Sequence, residues 1–231
     1  MTGAALAASS SARFFDAIAR KYDRVYARSR EEMAKSLAWL LSRLPAASDV
    51  LDLGVGTGRE LPALLDAGHR PVGLDISGEM LALCSRRARP IPLVQADLWG
   101  PLPFEAGTFD AVVALHGTLA HPSDAEGRSR FPREVARVLR PGGVFVAEMP
   151  TLAWLERAAR ESEAGATRVV CEQGGRGSFV DDATGAKVDI WLASPEEWTQ
   201  GFDGLLDVTV DAAGAGEMRI VGVKARMQQP R

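Results

Sequence analysis

The sequence has 231 residues, of which 46% are hydrophobic and 25% are charged, and its formal net charge is −3. This composition is that of an ordinary soluble globular protein with a sizeable core, and the small negative charge favours neither nucleic acid nor an anionic membrane as a partner. Cys84 and Cys171 are too few for a disulfide framework or a zinc site. We therefore expect reduced thiols, no bound metal and a cytoplasmic location.

The sequence shows no segment that predicts membrane insertion or export. No apolar run approaches the roughly 18 residues that span a bilayer. Residues 1–11 are rich in alanine and serine and lack the basic and apolar regions of a signal peptide, so we expect a frayed tail.

Two amphipathic helices are predicted at the start of the chain. Residues 12–28 place aromatic and aliphatic side chains at near-helical spacing. Residues 31–44 place a methionine and several leucines on one helical face before Pro45 ends the pattern. We interpret residues 1–44 as an N-terminal helical cap.

Strands and helices alternate through residues 45–150. The predicted strands are residues 50–53, 71–75, 91–95, 109–115 and 144–148. The predicted helices between them are residues 59–67, 78–87 and 130–139, the last stopped by the sequence Pro141-Gly142-Gly143. This alternation is typical of βαβ units, and it predicts an α/β core with a parallel sheet and helices on both of its faces.

The pattern loosens in residues 151–231, which we assign to the C-terminal part of the same domain. The predicted elements are a helix over residues 151–164, short strands at 169–171, 178–180 and 187–192, and a helix over 194–200. Residues 206–210 and 218–225 then predict an antiparallel hairpin that closes the sheet edge. The short strands form an insert at about residues 165–193, and a turn sequence at residues 181–185 joins the last two.

The first predicted strand runs directly into a glycine-rich turn. Glycines stand at positions 54, 56 and 58, where the absence of a Cβ allows a tight turn and a close approach to a ligand. A strand, a glycine-rich turn and a helix are the general plan of a nucleotide-type site. Asp75 ends the second strand, 21 positions after Gly54, where its carboxylate can accept both hydroxyls of a ribose. The alternative role for Asp75 is a helix cap before Ser77.

A second acidic residue follows the third strand. The Asp97 carboxylate can accept the exocyclic amine of an adenine, with the Leu98 N–H facing a ring nitrogen, and the alternative is a turn residue. Ile76 and Met80 are placed to sandwich the adenine or to belong to the core.

Two kinds of nucleotide compete for this site. A dinucleotide site needs the spacing G-x-G-x-x-G and sets a helix N-terminus against a pyrophosphate, but Arg59 stands where the third glycine belongs. Asp52 would repel a diphosphate, whereas it would attract the ammonium and sulfonium of S-adenosylmethionine. The acidic residue therefore favours S-adenosylmethionine over NAD.

With these motifs, the sequence resembles the class I S-adenosylmethionine-dependent methyltransferases, notably the small-molecule group. Five segments match in order: residues 50–60, 71–81, 94–98, 109–121 and 131–148. The resemblance implies a Rossmann-like, seven-stranded, mostly parallel sheet with helices on both faces and an antiparallel last strand. Residues 45–150 would then be the cofactor-binding core.

The resemblance also implies roles for particular residues. Asp52 and the backbone of Gly54, Gly56 and Gly58 would hold the methionine and ribose portion, Asp75 the ribose, and Asp97 with Leu98 the adenine. His116 and Gly117 would meet the methionine end, and Tyr22 looks like the family's lid aromatic. Residues 179–192 and the N-terminal helices would wall the substrate pocket.

Methyl transfer needs alignment and exclusion of water, and it needs a general base only if the acceptor arrives protonated. His116, His121 and Glu148 are the candidate bases. Their alternatives are backbone contact with the cofactor for His116, packing or capping for His121, and edge capping or an amine contact for Glu148. His69 is interpreted as structural.

We expect a methyltransferase acting on an O or N atom of a small molecule, such as a natural product or metabolite. The alternative is a protein that binds the cofactor for a non-methylating reaction or a structural role. We expect a monomer or homodimer that binds neither nucleic acid nor a membrane.

Overall fold

The computed structural model describes residues 9–87, 90–122, 124–162, 167–214 and 216–226. Most of the expected N-terminal tail lies outside these residues, as do the end of the helix predicted over residues 151–164 and part of the start of the insert. None of the helices within the described ranges is long and apolar enough to cross a membrane.

The helices are α1 (Ser10–Val25), α2 (Arg30–Arg43), α3 (Leu61–Asp66), α4 (Gly78–Arg87), α5 (Ala125–Val138), α6 (Leu152–Glu161) and α7 (Pro195–Gly201). The strands are β1 (Asp49–Leu53), β2 (Arg70–Asp75), β3 (Leu93–Gln95), β4 (Phe109–Ala114), β5 (Leu139–Pro150), β6 (Thr167–Cys171), β7 (Arg176–Asp181), β8 (Lys187–Trp191), β9 (Asp207–Ala212) and β10 (Glu217–Val223).

Seven strands form the central sheet in the order β3-β2-β1-β4-β5-β10-β9. The first five run parallel, and β10 pairs antiparallel with both β5 and β9. The predicted Rossmann-like, mostly parallel sheet with an antiparallel last strand is confirmed. Strand order reverses between β1 and β4, so the crevice beyond the carboxyl ends of these strands is where a ligand site belongs in such a sheet.

Apolar side chains cover the sheet on both faces. Phe131 on α5 packs against Phe145 on β5 and Phe202 after α7, and all three are fully buried. Leu40 on α2 and Leu64 on α3 belong to a separate buried cluster with residues of β1 and β4. Burying each of these side chains contributes about 1.5 to 3 kcal/mol, which holds the helices against the sheet.

The insert forms a second, antiparallel sheet of three strands in the order β6-β7-β8. The three short strands predicted there are present; β6 and β7 are two to three residues longer than predicted, and β8 is one residue shorter. Asp181 accepts hydrogen bonds from the backbone and hydroxyl of Thr184, which closes the predicted turn between β7 and β8. Phe179 on β7 stacks on Phe14 of α1 at 6.3 Å, so the insert packs against the N-terminal helix.

The region around α5 and β5 corrects two predicted boundaries. Helix α5 begins at Ala125 rather than at residue 130, because the Asp124 carboxylate accepts the Gly127 N–H at 2.6 Å and caps it. Strand β5 begins at Leu139 rather than at residue 144. Gly142 adopts a φ of 80° and donates to Lys224 O, so the Pro-Gly-Gly sequence forms an irregular stretch inside the strand.

Candidate cofactor and acceptor site

The glycine turn after β1 is held against the neighbouring strand. The backbone N–H groups of Gly54 and Val55 donate to Leu74 O at 2.7 and 3.0 Å. Gly54, Gly56 and Gly58 have φ values of 67°, 54° and 77°, a conformation that L side chains rarely adopt. A Cβ at Gly54 would lie 2.4 Å from Thr118 Cγ2, so this position also needs glycine for space.

Replacing Gly54 with alanine is expected to lower the free energy of unfolding by about 2 kcal/mol, because it adds backbone strain and displaces Thr118. Gly68→Ala is the matched control, since Gly68 has a φ of 82° but nothing lies within 4 Å of its added Cβ. It should cost about 1 kcal/mol from strain alone. Urea denaturation measures both, and equal losses would contradict the Thr118 contact.

Asp75 connects the glycine turn to the end of β2. Its carboxylate is 7% exposed and accepts the Gly56 N–H at 2.8 Å and the Ser77 N–H at 2.9 Å. Burial raises the pKa of Asp75 to about 6, although the hydrogen bonds from these backbone groups oppose the rise. The carboxylate therefore sits at the cavity wall as an oriented hydrogen-bond acceptor.

Two further acidic side chains lie beneath the turn. Asp52 is 2% exposed and Glu60 is 5% exposed, and both line a small hollow with Gly54 and Gly56. Burial, and then the charges of Glu60 and Asp75, raise the pKa of Asp52 well above its ordinary value. Asp52 Oδ2 has no hydrogen-bond partner among the residues that the structure describes. These carboxyl groups favour a cationic ligand and disfavour a phosphate.

Arg59 ties the cap to the glycine turn. Its Nε donates to Asp23 Oδ1 at 3.0 Å, its Nη1 donates to Tyr26 O at 2.9 Å, and its guanidinium lies 4.9 Å from the Tyr22 ring centroid. Thr57 Oγ1 also donates to Asp23 Oδ1, at 2.8 Å. Arg59, which departs from the dinucleotide spacing, thus holds α1 against the glycine turn through its hydrogen bond to Asp23.

His116 follows β4 with a φ of 54°. Arg28 Nη1 lies 2.8 Å from His116 Nδ1, and because a guanidinium only donates, Nδ1 must accept. The ring is then neutral with its proton on Nε2, and this atom lies 2.5 Å from Glu60 Oε1. Since Arg28 occupies the lone pair of His116, the geometry does not favour this ring as a base.

Glu148 lies two residues before the end of β5, in a buried ionic cluster. It accepts from Arg28 Nη1 and from Ser36 Oγ, each at 2.8 Å, and Arg219 Nη2 lies 3.5 Å away. Burial opposes ionisation of Glu148, but the Arg28 guanidinium and the Ser36 hydroxyl outweigh it and hold the pKa of that carboxyl below its ordinary value. Both oxygens of Glu148 already accept hydrogen bonds, one of them from Ser36 of α2. This arrangement favours a role in anchoring α2 over a role as the general base.

His121 is placed differently from the other candidate bases. Its Nδ1 lies 2.9 Å from Asp189 O, and because a carbonyl only accepts, the ring proton is on Nδ1. Burial lowers the pKa of His121 to about 4, so the ring is neutral near pH 7. It contacts Phe15 and Phe179 at centroid distances of 5.3 and 5.6 Å, which agrees with the packing role.

The cavity has a volume of about 1180 Å³ and brings most of the predicted site residues together. Those that line it are Tyr22, Gly54, Gly56, Asp75, Ile76, Met80, Asp97, Leu98, His116, Gly117, His121 and Glu148. Asp52 lines the adjoining hollow. Gly58 lies behind the turn, where a Cβ would meet Cys84 Sγ at 2.8 Å. His69 lies away from the cavity and accepts the Ser48 N–H at 3.2 Å.

Several cavity residues were not predicted from the sequence. They are Tyr26, Arg28, Glu60, Trp154 and Arg219. Arg28 contacts Glu148 and Glu217, which are 120 and 189 positions away, so no local pattern indicates its role. Within the described ranges, no group of three His, Cys, Asp or Glu side chains is arranged to hold a metal ion.

The sheet order, the glycine turn and the acidic residues at the strand ends define the fold of class I S-adenosylmethionine-dependent methyltransferases. A solved structure with this fold is that of CalS10 with bound S-adenosylmethionine, an amino pentose methyltransferase from Micromonospora echinaspora. It matches with a TM-score of 0.63 and 22% identity over 90% of this chain and 97% of that chain.

Sequence comparisons match the central part of this chain to methyltransferases. Residues 50–143 match the family model described as a methyltransferase domain. It is 38% identical over 133 residues to trans-aconitate 2-methyltransferase of Paracidovorax citrulli, covering 54% of this chain and 48% of that protein. It is 32% identical over 132 residues to dTDP-4-amino-2,3,4,6-tetradeoxy-D-glucose N,N-dimethyltransferase of Saccharopolyspora spinosa, covering 55% and 52%. The chain therefore spans about half the length of these curated relatives.

Proposed function

We propose that this protein is a methyltransferase that uses S-adenosylmethionine to methylate an O or N atom of a small molecule. The observation that carries the proposal is the buried acidic pair beneath the glycine turn, Asp52 and Glu60. A dinucleotide would bring a pyrophosphate to this turn, and its charge would further oppose ionisation of these carboxyl groups, whereas a cation would stabilise their ionised forms. An amino-acid-bearing nucleoside brings an ammonium instead.

The other residues at the cavity wall fit the same cofactor. The Asp75 carboxylate would accept the ribose hydroxyls. Asp97 and the Leu98 backbone, which follow β3, would accept from and donate to an adenine. Ile76 and Met80 supply apolar surface for its ring. The cofactor supplies an electrophilic methyl group on a sulfonium.

The protein's contribution to such a transfer is alignment and exclusion of water. Helix α1 is held over the cavity by Asp23 at the glycine turn and by the ion pair between Lys21 and Asp181 of the insert. Holding two reactants in line can lower the activation free energy by about 7 to 11 kcal/mol. The latched cap and the insert would provide that fixed geometry.

We assign the acceptor as a small molecule because residues of the cap, the insert and β10 line the cavity. The named relatives support both O and N acceptors, since one acts on trans-aconitate and another on an amino sugar nucleotide. Incubation with methyl-labelled S-adenosylmethionine and a panel of small acids, alcohols and amines should give labelled products together with S-adenosylhomocysteine. If the cofactor binds but no acceptor is methylated, a non-methylating or structural role would replace this proposal.

Cofactor affinity is expected to fall below about pH 6, because ribose hydroxyls donate to the ionised form of Asp75, whose pKa is about 6. Below this pKa the Asp75 carboxyl group must release its proton before the cofactor binds. The affinity therefore falls about tenfold for each unit by which the pH is lowered. Titration calorimetry with S-adenosylhomocysteine at several pH values measures this dependence. In Asp75→Asn, the slope of the logarithm of the affinity against pH should decrease by about one below pH 6. An unchanged slope would contradict the role of Asp75.

A further inference from the structure

Five aromatic side chains form a closed ring at the wall of the cavity. The centroid distances around it are 4.9 Å for Tyr22–Tyr26, 5.9 Å for Tyr26–Phe179, 5.6 Å for Phe179–His121, 5.3 Å for His121–Phe15 and 6.4 Å for Phe15–Tyr22. All five line the cavity. We call this set the aromatic cage. It joins Phe15 and Tyr22 of α1 and Tyr26, which directly follows α1, to His121 after β4 and Phe179 on the insert.

The dimensions of the aromatic cage suit a cation. A regular ring with such spacings has its centre about 5 Å from each centroid, within the ~6 Å reach of a cation–π contact. The Arg59 guanidinium already makes such a contact with Tyr22, at 4.9 Å. Among the described residues, no cation–π contact of this kind is made to the other four rings of the cage, so their faces are available to a second positive group.

The aromatic cage carries no charge near neutral pH. Burial raises the pKa of Tyr22 to about 12 and raises that of Tyr26 further, while it lowers the pKa of His121 to about 4. Among the five members, His121 Nε2 offers the one basic lone pair, and it is a weak base. An alcohol acceptor would have to lose a proton to it, whereas a neutral amine already has a free lone pair.

We propose that the aromatic cage receives the methyl acceptor as an amine and holds the methylated ammonium that forms. This inference rests on the proposed methyl-transfer function. The amine lone pair forms the new N–C bond as the C–S bond breaks, and the electron pair of that bond stays on sulfur. The positive charge thus passes from sulfur to nitrogen within reach of the rings, and the ammonium gives its proton to water after release.

Tyr26 adds a polar contact to the aromatic cage. Its hydroxyl oxygen is buried at the cavity wall and has no hydrogen-bond partner among the residues that the structure describes. An amine with an N–H can donate to this oxygen, which would orient its lone pair.

The test compares two probes of the same shape. Choline and the neutral alcohol in which a tert-butyl group replaces the trimethylammonium group are titrated by calorimetry into the protein saturated with S-adenosylhomocysteine, and into the protein alone. We expect choline to bind about tenfold more tightly than the neutral probe. Equal affinities, tighter binding of the neutral probe, or no detectable choline binding at millimolar concentration would overturn the inference.

Variants locate the effect. Phe179→Leu should remove most of the preference for choline, whereas Tyr26→Phe should keep it, because choline has no N–H for the hydroxyl. Phe104→Leu is the matched control, since Phe104 lies outside the cavity against Phe109. A preference that survives in Phe179→Leu contradicts the aromatic cage. Binding of S-adenosylhomocysteine is measured separately. Absence of that binding would contradict the proposed function, whereas its presence without a preference for choline would contradict only the aromatic cage.

Discussion

Replacing Arg28 with methionine is expected to lower the free energy of unfolding by about 3 to 5 kcal/mol. The Arg28 guanidinium donates to Glu148 Oε1 at 2.8 Å, and the Glu148 side chain is 1% exposed. Without this partner the carboxylate stays in the interior with one hydrogen bond from Ser36 and a distant Arg219. An uncompensated buried charge is among the most destabilising changes that a single substitution can make.

Urea denaturation near neutral pH measures the loss. Arg24→Met is the control, since Arg24 is exposed in the last turn of α1, four positions before Arg28, and it should change the free energy of unfolding by less than about 0.5 kcal/mol. Adding Glu148→Gln to Arg28→Met should recover part of the stability, because the buried charge is removed. A loss below about 1 kcal/mol in Arg28→Met would contradict the central role of this pair.

The same pair predicts a pH dependence. The pKa of Glu148 is below its ordinary value in the folded protein, so the stability that it contributes is present above the unfolded pKa and is lost as pH falls. In Arg28→Met, burial would raise the pKa of Glu148 instead. The difference in stability between the two proteins should therefore shrink in acid.

Asp75→Asn is expected to weaken binding of S-adenosylhomocysteine about a hundredfold, which corresponds to about 3 kcal/mol. The substitution removes the charge that strengthens hydrogen bonds from the ribose hydroxyls. It also turns an amide NH₂ toward either the Gly56 or the Ser77 N–H, which both donate to the carboxylate. Part of the loss would therefore come from a disturbed glycine turn.

Calorimetry gives the affinity, and thermal unfolding without ligand separates a folding defect from a binding defect. Asp207→Asn is the control, because Asp207 is exposed at the start of β9, far along the sheet from the turn. It should bind with unchanged affinity. A change of less than about threefold in Asp75→Asn would remove this carboxylate from the ribose site.

The cofactor side of the site was accessible to sequence analysis because its determinants are local. Asp52 and the glycines belong to one strand and its turn, and Asp75 ends the next strand, so parallel pairing of β1 and β2 brings them together. Arg59 was recognised as a departure from the dinucleotide spacing. Its latch to Asp23, 36 positions away, depends on how α1 packs and was not predictable.

The acceptor side was not accessible in the same way. The aromatic cage joins α1, the segment after β4 and the insert, and only the packing of Phe179 against these elements closes it. In the sequence, Glu60 has the pattern of an ordinary residue at the start of a helix. Its contact with His116, 56 positions away, becomes evident only in the structure. The Pro-Gly-Gly sequence predicts a helix stop followed by a later strand, because the local pattern does not reveal its hydrogen bonds with the Lys224 backbone.

The most direct test of the cofactor assignment is a calorimetric titration of the purified protein with S-adenosylmethionine, S-adenosylhomocysteine and NAD. The buried acids Asp52 and Glu60 predict that the first two bind, one per chain, and that NAD does not. Binding of NAD without binding of either methionine-bearing nucleoside would contradict the account.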